Sequence, residues 1–237
     1  MSASSKGALS GLSLGLLRRV ASFRNFYRKF VKRPVDILVS ATALISCFPV
    51  LVVLCAFISL DSPGLPVYKQ RRLGKKGILF DIYKLRTMFD GADRHGFKTE
   101  PADPRVTRLG NFLREKKLDE LPQLWNILRG DMSLIGPRPL SLEESEFVMT
   151  ELGFSQQHPG FIPTVRPGLT GLEQIYRIHH LVYTERFQWN ACYEATLSLL
   201  TDLKVLSATV MMCRLVCLAT IFGGTLELTF LASMLWH

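Results

Sequence analysis

Between Asp36 and Asp61 the chain runs ILVSATALISCFPVLVVLCAFISL, residues 37–60, 24 residues without a charged side chain. A helix needs ~20 apolar residues to cross the ~30 Å hydrocarbon core of a bilayer. The run is too long for the apolar part of a cleavable signal peptide, and no A-x-A-like site follows it. Its basic collars and its length argue against a buried hairpin of a soluble domain. Pro49 divides it into an apolar segment of twelve residues and one of eleven. Proline removes a backbone donor and clashes with the preceding turn, so a bend is expected there. Each half, ~18 Å long at ~1.5 Å per residue, is too short to span alone. The backbone groups freed at the bend need partners, for which Thr42 and Ser46 hydroxyls are candidates.

The flanks bear on how the run meets a membrane. Residues 1–36 hold eight basic side chains against one acid, Asp36. After the run come Lys69, Arg71, Arg72, Lys75, Lys76, Lys84 and Arg86. Basic flanks prefer the cytoplasmic side. A re-entrant hairpin bent at Pro49 keeps both flanks there; a proline-kinked span is the other arrangement and strands one. The segment LLRRVASFRNFYRKFVKR alternates apolar and basic residues, as an amphipathic helix in an anionic lipid interface does. Binding to nucleic acid would also suit the charge, but no nucleic-acid motif accompanies it. The net charge of +9 fits anionic lipid or a phosphorylated ligand. Five cysteines, an odd number with no CxxC, suit reduced thiols in a cytosol-facing protein. The Ser/Gly-rich start, Met1 to Leu16, is expected to be mobile.

Past Asp61 the chain reads as a folded domain. DSPGLP is a turn cluster. In GILFDIYKLRTM, Ile78, Phe80 and Ile82 share one strand face, and Lys84 and Arg86 continue it. These cations either reach into a site or are solvated charges at a strand end. Residues 89–107 are polar and broken by glycine and proline, as a loop is. In KKLDELPQLWNILRGDMSLIGPRP, residues 116–139, Pro122 belongs in a first helical turn. A helix is therefore predicted from near Asp119 to Gly130, with Leu121, Leu124, Trp125 and Leu128 as its apolar stripe. Asp119 would then be the N-cap and Glu120 would lie in the first turn, where free amides stabilise carboxylates and bind phosphate. Ordinary capping would use the same residues. Arg114 lies upstream, and Arg138 lies between Pro137 and Pro139, which stiffen its backbone. Two guanidinium groups suited to phosphate oxygens, with two adjacent carboxylates, point to phosphoryl transfer with a carboxylate nucleophile. An anion attacking an anionic diphosphate calls for a divalent cation, and Mg²⁺, a hard ion held by one or two carboxylates plus phosphate oxygens, suits that need.

In family order, KRPVDILVS…FPV, SPG, YKLRTM, LDELPQLWNILRGDMSLIGPRP, RPGLTG and SLLTDLKVLSAT resemble the monotopic phosphoglycosyl transferases, or bacterial sugar transferases, over roughly residues 30–210. The resemblance places the family's catalytic Asp-Glu pair on Asp119 and Glu120 and its phosphate-binding arginines on Arg114 and Arg138. It implies transfer of a sugar 1-phosphate from a nucleoside diphosphate sugar, most often a UDP-sugar, to polyprenol (undecaprenyl) phosphate. Asp119 would carry the phosphosugar between the two half-reactions, with Asp119 and Glu120 as the Mg²⁺ ligands and Glu120 either helping to hold the ion or assisting the acceptor. It implies a bacterial inner-membrane protein on the cytoplasmic face, acting early in surface polysaccharide or glycoconjugate synthesis. Two departures stand out. Phe48 precedes Pro49 where the family usually has serine, and EKK, Glu115 to Lys117, precedes the acidic pair where small hydroxylated residues are usual.

The expected fold is α+β: a helix-rich cytosolic domain with an N-terminal re-entrant membrane helix hairpin and interfacial amphipathic helices. Its expected parts are a basic segment (1–36), the membrane helix (37–60), a catalytic domain (61–210) and an apolar tail (211–237). The expected partners are the nucleotide sugar, polyprenol phosphate, anionic lipid and a second copy of the chain, without nucleic acid. His158, His179 and His180 lack zinc-site spacing and read as surface or packing residues. A helix is predicted over Ala191–Arg214, with Tyr193, Leu197, Leu200 and Leu203 buried. The competing function is a non-catalytic membrane-surface scaffold of polysaccharide assembly.

Overall fold

The computed structural model describes residues 22–92, 103–175 and 183–222, with side chains of the last segment to residue 212. The expectations for residues 1–21, for the centre of the 89–107 loop, for His179 and His180 and for the tail beyond residue 222 lie outside the described residues. The fold is mixed and predominantly helical, with one long apolar helix at its start.

The chain is helical from Ser22 to Asp61, through a π-helical turn at Tyr27–Val31 and then helix α1, Lys32–Asp61. The wider π turn brings residues five apart onto nearly one face. Tyr27 and Lys32 therefore both reach Asp202, at 2.6 Å each, and Tyr193 donates to the same carboxylate at 2.7 Å. Pro49 lies inside α1, which continues on both sides of it. Thr42 donates to Leu38 O at 2.9 Å, so it does not serve the Ile45 carbonyl that Pro49 leaves unpaired; Ser46 makes no side-chain hydrogen bond among the described residues.

Within the most apolar window of this helix, 11 % is buried inside the protein. The core helix of a soluble domain would be mostly buried, whereas this helix leaves most of its apolar surface exposed. Its two ends are nevertheless fixed to the rest of the chain. Near the start, Arg33 donates to the Ile127 and Leu128 carbonyls, and Asp36 accepts from Ser133 Oγ and the Leu134 amide. Near the end, Leu54 and Ile58 pack with Leu85 and Leu113. Between these, Leu38, Ile45, Phe48 and Val53 are exposed.

Strands β1 (Val67–Leu73) and β2 (Leu79–Leu85) form an antiparallel hairpin. As predicted, Phe80, Ile82 and Lys84 share a face; Ile78 and Arg86 fall outside the strand. Helix α2 (Arg108–Glu115) follows, capped by Thr107 Oγ1 accepting from the Gly110 amide. A 3₁₀ turn at Leu118–Glu120 leads to α3 (Gln123–Arg129), which Gly130 ends in the left-handed conformation at φ 96°. The buried side of α3 is Gln123, Leu124, Asn126 and Ile127; Trp125, expected in the stripe, is 51 % exposed. Asn126, bonded to β2, and Ile127, in the core, take the inner face of α3, and Trp125 falls on its outer side.

Asn126 joins α3 to the hairpin. Its Oδ1 accepts from the Tyr83 amide at 3.0 Å and its Nδ2 donates to Asp81 O at 2.7 Å, so one side chain pairs an edge of β2 as a strand would. Strand β3 (Ser133–Ile135) pairs in parallel with β4 (Gly168–Thr170). Between them, α4 (Leu142–Thr150) starts with a capping box of Ser141 and Glu144. After β4 come α5 (Leu172–Ile175), α6 (Tyr183–Thr196) and α7 (Leu199–Phe222). The helix predicted over Ala191–Arg214 is thus two helices. Ser198 opens the second, its Oγ accepting from the Thr201 amide. The break resets the phase: Tyr193 and Leu197 are buried as predicted, but Leu200 and Leu203 are exposed and Val205 and Ala208 face the core.

Replacing Asn126 by leucine removes the two contacts to β2 and leaves a partly buried N–H and C=O unpaired. An Asn126→Leu protein is expected to lose on the order of 2–4 kcal/mol, read as a lowered thermal midpoint in detergent or nanodiscs.

Candidate active site

The β1–β2 register sets Tyr68 opposite Lys84, Gln70 opposite Ile82 and Arg72 opposite Phe80. One hairpin face therefore presents Gln70, Arg72 and Lys84 together. They meet the acidic turn and the loop after β3. Arg72, Lys84, Glu120, Gln123, Arg138 and Gln174 line a cleft together with Ile82, Gly168 and Leu169.

The loop carrying Arg138 is seated by close backbone approach. A Cβ on Gly136 would lie 2.4 Å from Arg166 O, and one on Gly168 would lie 2.1 Å from the Gly136 amide nitrogen. Neither position admits a side chain. The space left by the two glycines lets Gly136 N donate to Thr170 O and Gly168 N to Pro137 O, both at 2.9 Å. GPRP and RPGLTG, residues 136–139 and 166–171, thus form one unit holding Arg138 at the cleft. Behind it, Arg186 is buried and bridges Glu144 and Glu173, the latter at 3.0 Å.

The acidic pair differs from its predicted setting. Asp119 is not an N-cap: it lies within the 3₁₀ turn, Pro122 is the N-cap of α3, and no side chain caps that helix. The turn is closed by Glu120 N donating to Lys117 O and Leu121 N to Leu118 O, with Lys117 left-handed at φ 58°. Asp119 is buried, and its Oδ1 has no hydrogen-bond partner among the described residues. Glu120 pairs with Lys84 at 3.3 Å.

The environments push the two carboxyls apart. Burial raises the pKa of Asp119, and Glu120 adds to the rise against the pull of Lys84. Burial also works against ionised Glu120, but Lys84 and Arg138 outweigh it and hold that carboxyl below its ordinary value. Lys84 is itself lowered by burial, with Arg138 and Arg72 adding to the effect and Glu120 opposing it. Such a split between neighbouring carboxyls separates their chemical roles. Glu120 is the fixed anion of an ion pair. Asp119 is the group with an unsatisfied oxygen.

Of the sequence-predicted residues, Lys84, Glu120 and Arg138 line the cleft together. Asp119 adjoins them, and Arg114 lies within electrostatic reach of it, with Nε donating to Thr87 Oγ1 at 2.8 Å. Arg86 is not brought there. β2 ends at Leu85, and the Arg86 guanidinium turns to the end of α1, donating to the carbonyls of Ile58, Ser62 and Pro63. Three polar cleft residues are not marked by the motifs. Arg72 reads as a membrane-flanking charge, although its period-two relation to Gln70 and its hairpin relation to Lys84 carry the signal. Gln123 and Gln174 gave none.

No group of three or more His, Cys, Asp or Glu side chains is placed to hold a metal among the described residues. The carboxylate pair alone supplies hard oxygen donors, and the free Oδ1 of Asp119 is one of them. This set fits an ion that brings phosphate oxygens with it, as Mg²⁺ does. His158 packs its ring on Phe154 and Phe187, in accord with its reading as a packing residue.

The cleft brings three cations together with Glu120, beside the buried Asp119 carboxyl, on a chain with an exposed apolar helix, and a cation-rich cleft of this kind suits phosphorylated ligands. The family model "bacterial sugar transferase" matches residues 27–215. The chain belongs to that family. It is 36 % identical over 195 residues to the exopolysaccharide production protein ExoY of Sinorhizobium fredii, covering 76 % of this chain and 83 % of that one. It is 38 % identical over 189 residues to the UDP-glucose:undecaprenyl-phosphate glucose-1-phosphate transferase of Caulobacter vibrioides, covering 76 % and 68 %. With a UDP-N-acetylgalactosamine-undecaprenyl-phosphate N-acetylgalactosaminephosphotransferase of Aeromonas hydrophila the identity is 40 % over 149 residues, which is 62 % of this chain but 34 % of that longer protein.

A raised Asp119 pKa means that the folded protein binds a proton more tightly there than the unfolded chain. Its stability therefore falls as pH rises from the ordinary aspartate range through the folded pKa. Asp119→Asn removes that burden. Its thermal midpoint is expected to exceed the wild type's at neutral pH, with the gap closing as pH falls to the ordinary aspartate value; an equal or lower midpoint at neutral pH would contradict the burial effect.

Proposed function

We propose that this protein transfers a sugar 1-phosphate from a UDP-sugar to undecaprenyl phosphate, through a phosphosugar carried on Asp119. The observation that carries the reading is the unpartnered Asp119 oxygen beside a cleft with Lys84, Arg72 and Arg138 on its walls. The names of the relatives supply the substrate classes.

Chemically, an Asp119 oxygen attacks the sugar-bearing phosphorus. The new O–P bond forms as the bond to the bridging oxygen breaks, and uridine monophosphate leaves with that oxygen and its electron pair. A phosphate oxygen of undecaprenyl phosphate then attacks the same phosphorus and frees the Asp119 carboxylate. Both reacting oxygens are anionic, so no proton transfer is required. Arg138 and Lys84 counter the charge of the phosphates, in sites preorganised by the glycine contact and the Glu120 pair. Arg114 steadies the Asp119 anion as it forms. Mg²⁺, held by Asp119 and Glu120 together with phosphate oxygens, would neutralise further negative charge.

The membrane arrangement follows the same reading. Both ends of α1 are tied to one polar body, by Arg33 and Asp36 at the start and by Arg86 at the end. A helix so tied has both ends on one side, which supports a re-entrant course bent at Pro49 and a domain on the cytoplasmic face of the inner membrane. Exposed Phe23, Phe26 and Phe30, interleaved with Arg24, Arg28 and Lys29, suit an interfacial position on anionic lipid.

Purified protein given Mg²⁺ and UDP-sugars is expected to release uridine monophosphate and gain the mass of a phosphosugar at Asp119. Asp119→Ala should lose activity by at least ~1,000-fold. Failure to find an adduct at Asp119 under single-turnover conditions would sink the covalent route. Tags placed before Ser22 and after Lys76 should report the same side of the membrane; opposite sides would exclude the re-entrant course.

A further inference from the structure

We propose that Arg72 is a third phosphate ligand of the cleft and also the tether that holds the Arg138 loop in place. This inference rests on the transferase reading above and adds a residue that the acidic-pair and GPRP motifs do not contain.

The donor count is the starting point. A guanidinium carries five N–H groups. Arg72 Nε and Nη2 both donate to Gln70 Oε1, at 3.1 and 2.7 Å, and Nη1 donates to Pro139 O at 2.7 Å. Three donors are spent, and one on each terminal nitrogen remains. The side chain is half-buried and lines the cleft beside Arg138. Two remaining donors on a planar head match two oxygens of a phosphate group.

The charge balance points the same way. Every hydrogen-bond partner of Arg72 is neutral: an amide oxygen and a backbone carbonyl. Neither Arg72 nor Arg138 makes a salt bridge among the described residues. Burial brings the Arg72 pKa down to about 10, and the neighbouring Arg138 contributes to that fall. Among the charges, Arg138 lowers the Arg72 pKa most, with Glu144 and Glu120 opposing it, and both guanidinium groups line the cleft. A diphosphate between them would meet two cations at once.

The tether is equally direct. Pro139 follows Arg138, so the bond from Arg72 fixes the carbonyl next to the Arg138 residue. The backbone seals the same seam: Leu73 N donates to Leu140 O at 2.9 Å, and Arg72 forms a bridge with Ser141. Gln70, two residues back on the same strand face, holds the guanidinium plane. One arginine thereby joins the hairpin that carries Lys84 to the loop that carries Arg138.

The test compares wild type, Arg72→Gln and Arg72→Lys in detergent, with UDP as the binding probe and thermal unfolding as the folding control. Arg72→Gln is expected to weaken UDP binding by ~10-fold or more, the effect of losing a charge-assisted contact, and to raise the donor KM alongside. Arg72→Lys restores the charge but cannot span Gln70 and Pro139 together, so it should bind UDP better than Arg72→Gln and remain ~3-fold or more weaker than wild type. Folded Arg72→Gln that binds UDP within ~2-fold of wild type overturns the ligand role. If Arg72→Gln fails to fold, Arg72→Lys decides: a loss of under ~3-fold overturns the proposal and a larger one supports it. A purely structural tether would lower kcat and the unfolding midpoint, leave UDP affinity unchanged, and gain nothing from lysine. Wild type that binds UDP but releases no uridine monophosphate from any UDP-sugar would defeat the transferase reading, while the binding comparison still judges Arg72.

Discussion

The apolar helix is fastened to the polar body at both of its ends, and the rest of the structure is arranged around those fastenings. Asp36 gives its carboxylate to Ser133 and Leu134 at the start of β3, and Arg33 covers the open carbonyls at the end of α3. At the other end Arg86 covers the carbonyls of Ile58, Ser62 and Pro63. Unpaired backbone carbonyls next to a lipid phase are costly, and a guanidinium with several donors satisfies a group of them at once. Each fastening also fixes part of the site. Residues 127–134 lead into the Arg138 loop, and Arg86 is two residues beyond Lys84.

The cleft inherits its position from this frame and its chemistry from an uneven charge distribution. Glu120 is paired with Lys84, while Asp119 is buried with one oxygen unpaired. Among the described residues Arg72 and Arg138 form no salt bridge. An anionic substrate would supply the direct counter-charge. The Gly136–Gly168 contact keeps this arrangement rigid, since any side chain at either position would push the two segments apart. The buried Glu144–Arg186–Glu173 group backs α5, from which Gln174 reaches the cleft.

Features that depend on neighbours in sequence were legible without a structure. The apolar run and its proline, the strand face of Phe80, Ile82 and Lys84, the left-handed Gly130 and the fixed turn around Arg138 follow from local rules. So did the family, because its long central block is contiguous. The errors share one cause. Pro122 suits a first turn and so suggests an N-cap at Asp119, yet the chain inserts a 3₁₀ turn first. Trp125 lies outside because Asn126 and Ile127 take the inner face of α3. Leu200 and Leu203 were misplaced by the break at Leu197–Ser198. Arg86 was extrapolated along a strand that ends one residue earlier.

By itself the sequence determined an apolar helix with basic flanks, an acidic pair, a stiffened arginine and the family to which the chain belongs. Each of these is written in consecutive or regularly spaced residues, where backbone geometry alone sets the relation. Only the tertiary structure decided that Arg72 faces the cleft and Arg86 does not, that Gly136 meets Gly168, and that Asn126 completes an edge of β2. Those outcomes rest on contacts between segments distant in the chain. Packing and hydrogen-bond satisfaction choose among the partners there, and no local periodicity records the choice.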